Sequence, residues 1–100
     1  MPMSPQDFVQ QDQIRERVKR LQDLFANDPE VARIDHRLAE DWSGDYSLFF
    51  DVVLKGMEPA AAAVLRLSEP IDAALLRVVR SEELGLHAYL NFVSRPNNGQ

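Results

Sequence analysis

Two segments with period-two alternation constrain this chain most. From Tyr46 to Lys55, residues Tyr46, Leu48, Phe50, Val52 and Leu54 fall on one side of an extended backbone, and Ser47, Phe49, Asp51, Val53 and Lys55 on the other. Aromatic and β-branched side chains fit a pleated surface, so this stretch reads as a strand. From Val31 to Leu38 the same period recurs, with Ala32, Ile34, His36 and Leu38 on one side and Val31, Arg33, Asp35 and Arg37 on the other. Asp41-Trp42-Ser43-Gly44-Asp45 lies between the two and reads as a hairpin turn. A lone hairpin is marginal in water, so other parts of the chain must cover its apolar side.

Helical patterns flank the hairpin. Ile14, Val18, Leu21 and Phe25 form an apolar stripe at helical spacing, widened by Leu24 and Phe8. Ser4 suits the N-cap, Pro5 the first helical position and Asp7 the acidic position of a capping box. Asn27-Asp28-Pro29 stops the helix, because a residue before proline avoids helical geometry. After Lys55-Gly56-Met57-Glu58-Pro59 the spacing predicts a short helix over 60–67. Pro70 is expected to interrupt it and to open a second helix from Ser68 or Glu69. That helix would bury Ile71, Leu75 and Val78 with Ala74 and Val79, and Gly85 would cap it in a left-handed conformation. Ala88 to Ser94 reads as a last strand. Residues 1–4 and 95–100 are expected to fray.

The order α-β-β-α-β predicts a single α+β domain over residues 1–100. It is expected to be a two-layer sandwich, a three-stranded mixed sheet with both helices on one face. A right-handed crossover joins the second and third strands, and the first strand is expected in the middle. The 45% hydrophobic and 27% charged content belongs to a folding chain rather than a disordered one. The absence of cysteine excludes disulfides, thiolate metal sites and a Cys nucleophile. A small secreted domain would need such staples. With no leader pattern at the N-terminus and no membrane-length apolar run, a cytoplasmic location is expected. The net charge of −5 is concentrated in residues 27–60, which hold eight acids against three bases. That sign opposes nucleic-acid binding.

No catalytic or cofactor pattern emerges. Asp41, Ser43 and Asp45 have the spacing that opens a calcium loop, but Tyr46 stands where glycine is needed and Val52 where a bidentate acid is needed. The segment is therefore read as a turn in which Ser43 and Asp45 bond local backbone and Gly44 supplies a positive φ. Trp42 is expected to cover one end of the core. Asp35 and His36 are strand neighbours on opposite faces and cannot chelate together, and His36 is read as a half-buried sheet residue. The serines lie in no nucleophile elbow, and no glycine-rich loop precedes a helix. The run Ile14-Arg15-Glu16-Arg17-Val18-Lys19-Arg20 reads as a solvated helix face with i,i+4 pairs. No metal or cofactor is expected, and the chain is read as non-catalytic.

The turn Asp41-Trp42-Ser43-Gly44-Asp45, the strand end Asp51-Val52-Val53-Leu54, Pro70-Ile71, Gly85-Leu86 and Tyr89-Leu90-Asn91-Phe92-Val93-Ser94 together resemble a group of small bacterial proteins. These carry an acidic-Trp-Ser/Thr-Gly-Asp turn and a closing Tyr-x-x-Phe-Val-Ser strand. The resemblance spans residues 31–94, with Leu90 and Asn91 in place of the commoner residues. It implies the fold and no activity.

If both helices cover one side of the sheet, the other side is bare. Parity places Val31, Phe49, Val53, Tyr89 and Val93 there, among Arg33, Asp35, Arg37, Asp51 and Asn91. A solvated face normally alternates to polar, and contiguous apolar area marks an interface. The leading expectation is a protein-interaction module that forms a homodimer through Val31, Arg33, Arg37, Phe49, Asp51, Val53, Tyr89 and Val93, with the charges setting register. One alternative is binding of single-stranded nucleic acid by the same face, with Phe49 and Tyr89 stacking bases. Another is a small enzyme or ligand binder near Trp42, Asp45 and His36.

Overall fold

The computed structural model describes residues 5–56 and 61–94, with side chains from residue 11 onward. The roles expected of Ser4, Asp7 and Phe8, the link 57–60 and the fraying ends lie outside the described residues. Helix α1 (Pro5–Leu24) leads into β1 (Val31–Glu40) and β2 (Tyr46–Leu54). Helix α2 (Ala61–Ala74) follows. It continues as a wider π turn (Leu75–Val79), a 3-10 turn (Ser81–Leu84) and β3 (His87–Ser94). This is the expected α-β-β-α-β fold with a three-stranded mixed sheet. Among the described residues no helix is long and apolar enough to cross a membrane.

The strand order corrects one expectation. The sheet runs β1-β2-β3, with β2 in the middle, antiparallel to β1 and parallel to β3. The reason lies in composition. A central strand is paired along both edges and flanked by neighbouring side chains on both faces, which favours near-continuous apolar sequence, as in Leu48 to Leu54. Strand β1 carries Arg33, Asp35, Arg37 and Glu40, and charge belongs on an edge.

The core lies between the helices and one sheet face. Ile14, Val18 and Leu21 of α1 meet Ile34 of β1 and Leu48, Phe50, Val52 and Leu54 of β2, and Ala63, Leu67, Ile71 and Ala74 of α2 close the layer. Leu90 and Phe92 of β3 pack against this cluster from the sheet's edge.

Helix α2 corrects a second expectation, because Pro70 sits inside it and does not divide it. Proline removes one i→i−4 hydrogen bond, yet Leu67, Ile71 and Ala74 stay on one buried stripe. Tertiary packing of that stripe outweighs the local defect. The helix then widens, with the Arg80 amide donating to the Leu75 carbonyl at 2.9 Å. It ends at Arg80 in a left-handed conformation (φ 48°), a position that favours glycine.

Arg17 compensates at that helix end. Its guanidinium donates to the carbonyls of Val79 (3.0 Å) and Arg80 (3.4 Å) and pairs with Glu83 at 3.3 Å. A cation on exposed C-terminal carbonyls is favourable. Arg17 is thus a tie between α1 and the end of α2. Its neighbours form exposed surface pairs, Arg20 with Glu16 at the expected i,i+4 spacing and Arg15 with Asp12 at i,i+3. A second tie is Arg66 of α2, which donates to both Asp28 oxygens and to Glu30. These bonds hold the Asp28 carboxyl below its usual range.

Candidate functional site

The open face of the sheet is built from four rungs read across the register. They are Arg33–Val53–Val93, Asp35–Asp51–Asn91, Arg37–Phe49–Tyr89 and Ala39–Ser47–His87. Among the described residues no helix packs on this side, and none of these side chains belongs to the helix-side core. Seven of the eight interface residues expected from sequence are thereby brought to one surface: Arg33, Arg37, Phe49, Asp51, Val53, Tyr89 and Val93.

Val31 is the exception, and this is a correction. It is buried in the helix-side core together with Ile34, although the two are three residues apart. A register shift between Val31 and Arg33 explains it. One extra residue, Ala32, bulges from the ladder, so Val31 returns to the face that strict alternation denies it. Val31 then pairs with Leu54 and Ile34 with Val52, both core residues.

The third rung is a row of stacked groups. The Arg37 guanidinium lies 4.6 Å from the centre of the Phe49 ring. Phe49 stacks on Tyr89 at 5.2 Å and 23°. Trp42 leans on the other flank of Tyr89 at 5.1 Å and 51°. Direct neighbours in a sheet make such pairs, and offset or tilted ring contacts contribute about 0.5–1.5 kcal/mol each. The stacking leaves Phe49 and Tyr89 half-buried, while Trp42 is 82% exposed. Trp42 therefore belongs to the open face and does not cover the core. Val53, flanked by Arg33 and Val93, is only 2% exposed.

Asp41 holds this corner together. Its Oδ1 accepts from the Ser43 amide (2.9 Å), the Ser43 hydroxyl (2.5 Å) and the Asp45 amide (3.2 Å). Its Oδ2 accepts from Ser47 (2.9 Å) and from the Tyr89 hydroxyl (3.3 Å). The turn's organiser is thus Asp41 rather than Ser43 or Asp45, and Gly44 supplies the expected positive φ (90°). The Ser43 hydroxyl first, then Ser47 and the backbone amides, hold the Asp41 carboxyl well below the usual carboxylate range. Desolvation, reinforced by the nearby Asp41 charge, raises the Tyr89 phenol above its ordinary value.

The alternative site near Trp42, Asp45 and His36 is not assembled. His36 opens on a small cavity lined by Gln11, Ile14, Arg15 and Leu38, away from the turn. Burial lowers its pKa, as expected of a half-buried imidazole. Among the described residues no group of three or more His, Asp or Glu side chains is placed to hold a metal ion.

Comparison with known proteins finds no matching family model, and no curated protein or solved structure is significantly similar.

Proposed function

We propose that this protein is an interaction module whose open sheet face pairs with the same face of a second copy. The observation that carries the reading is the Trp42–Tyr89–Phe49–Arg37 row, exposed at its two ends and half-buried between them, on a face that no described helix covers. Aromatic and arginine side chains of this kind anchor interfaces.

Charge supports a second copy as the occupant. The chain carries −5 overall, but Arg33 and Arg37 balance Asp35 and Asp51 on this face. Arg33 is already joined to Asp35 at 2.9 Å. Arg37 and Asp51 have no ion-pair partner among the described residues, so each face offers one free base and one free acid. A two-fold axis would let Arg37 of each copy meet Asp51 of the other.

The size of the face sets the strength. Three strands about 4.8 Å apart and about eight residues long at ~3.3 Å each make roughly 400 Å². That is about half of the ~800 Å² per partner in a stable standard interface, so a weak, reversible pair is expected. Sedimentation equilibrium tests this. The average mass should climb above the 11.4 kDa of one chain in the micromolar to hundred-micromolar range, and Arg37→Glu should abolish the climb. Adding Asp51→Arg to Arg37→Glu should restore it. A single-chain mass throughout, or a climb indifferent to both changes, contradicts the reading. A mass change appearing only with single-stranded oligonucleotides, and weakened by salt, would favour nucleic acid instead.

A further inference from the structure

Both edges of a three-stranded sheet carry unpaired backbone groups, and proteins blunt such edges with charge, bulges or covering side chains. The β1 edge shows all three. It bears Arg33, Asp35, Arg37 and Glu40, it bulges at Ala32, and the Gln22 amide donates to the Ile34 carbonyl at 2.8 Å. Among the described residues the β3 edge shows none of them. His87-Ala88-Tyr89-Leu90-Asn91-Phe92-Val93-Ser94 contains no acidic residue, lysine, arginine or proline, and pairs with β2 in unbroken register.

A groove of about 600 Å³ borders the first three residues of this edge. Consecutive residues His87, Ala88 and Tyr89 all line it, although they point to alternating sheet faces. The groove therefore opens at the start of the strand's outer edge, beside the 3-10 turn. Its opposite wall is the end of α2 and the π turn, with Asp72, Leu75 and Leu76. Leu76 is 72% exposed and, with Leu75, gives the groove an apolar wall.

We infer that this groove receives an extended peptide from another protein, added to β3 as a fourth strand. Strand addition supplies main-chain hydrogen bonds, and pockets for alternate side chains supply the selection. Residues turned toward α2 would meet Leu75, Leu76 and Leu86, so the peptide is apolar at alternate positions. Three acids and Arg80 line the groove. Glu83 is taken by Arg17 and Arg80, whereas Asp72 and Glu82 are exposed and have no ion-pair partner among the described residues. The peptide is therefore basic where it passes them. This site borders the Trp42–Phe49 face and shares Tyr89 with it, but strand addition uses the backbone edge of β3 rather than the side chains of that face.

The test uses the full chain and a fluorescein-labelled octapeptide alternating valine and threonine between terminal lysines. Fluorescence anisotropy should show saturable binding. A peptide with terminal glutamates should bind about five- to tenfold more weakly, the scale of two exposed ion pairs. Asp72→Lys combined with Glu82→Lys should reverse that order. Leu76→Glu, at an exposed position that leaves the core intact, should weaken both peptides. In hydrogen exchange the lysine peptide should protect amides of residues 87–94. Equal binding by a peptide N-methylated at alternate residues would overturn strand addition. So would protection confined to Trp42 and Phe49, or the absence of binding. Protection of 87–94 that rises with protein concentration alone would assign the edge to a second copy and also overturn the proposal.

Discussion

Phe49 and Phe50 are adjacent in sequence and occupy opposite worlds. Phe50 is fully buried among Val18, Leu21, Leu67 and Ile71 of the helix-side core. Phe49 is half-buried between an arginine and a tyrosine on the open face. The helix face is held by non-directional burial supplied by distant segments. The open face is held by its own neighbours, through ring stacking and the bonds to Asp41. One face is closed by the fold, and the other is only tidied by local contacts, which leaves it suited to a partner.

The largest effects should appear on the helix face. Phe50→Ala should destabilise by about 3–5 kcal/mol, the range for a buried aromatic reduced to alanine. Chemical denaturation measures it, and a loss near that of Phe49→Ala would erase the distinction between the faces. Val31→Asp should destabilise by about 3 kcal/mol or more, because the bulge puts that side chain in the core. Ala32→Asp, one residue away and exposed, should change stability by less than about 0.5 kcal/mol. Strict alternation makes the opposite forecast for this pair.

The pair Val31 and Ala32 also shows what the sequence could and could not reveal. Alternation in 46–54 identified β2 and both of its faces, because apolar identity and parity agree over the whole strand. Parity in 31–38 failed at its first residue, because a bulge needs only one extra residue and leaves no composition mark. The central place of β2 was misread, with β1 expected in the middle, although β2 is apolar on both faces and β1 carries the charge. The unbroken passage of α2 through Pro70 was not legible, since local propensity there is overruled by Leu67, Ile71 and Ala74 packing beneath it. Trp42 was misplaced for a related reason: a turn residue's direction is set by the turn, and period two does not extend into it. The roles of Arg17 and Arg66 depend on contacts between segments far apart in sequence, which spacing within a helix does not encode.

On the open face the effects should be smaller in stability and larger in association. Phe49→Ala should cost about 1–2 kcal/mol, from one ring pair and one cation–ring contact, while abolishing self-association. Acid should act through Asp41. Its folded pKa is depressed from 3.8, so its contribution is present above about pH 4 and is lost as pH falls through the lower folded value. Thermal melts of Asp41→Asn between pH 5 and 2 should therefore fall less steeply than those of the wild type. An equal slope would remove Asp41 from the account. Trp42→Ala should be the mildest for folding, at about 0.5 kcal/mol, yet should weaken self-association clearly.

Because Trp42 is the only tryptophan in the chain, its fluorescence reports directly on whether the open face docks. On concentrating the protein from about 1 μM to about 500 μM, the span expected for a weak interface, its emission should shift to shorter wavelength. Quenching by acrylamide should diminish in parallel, and Arg37→Glu should suppress both changes. An indole that stays equally exposed and equally quenched across that range would contradict the claim that this face is a docking surface for a second copy.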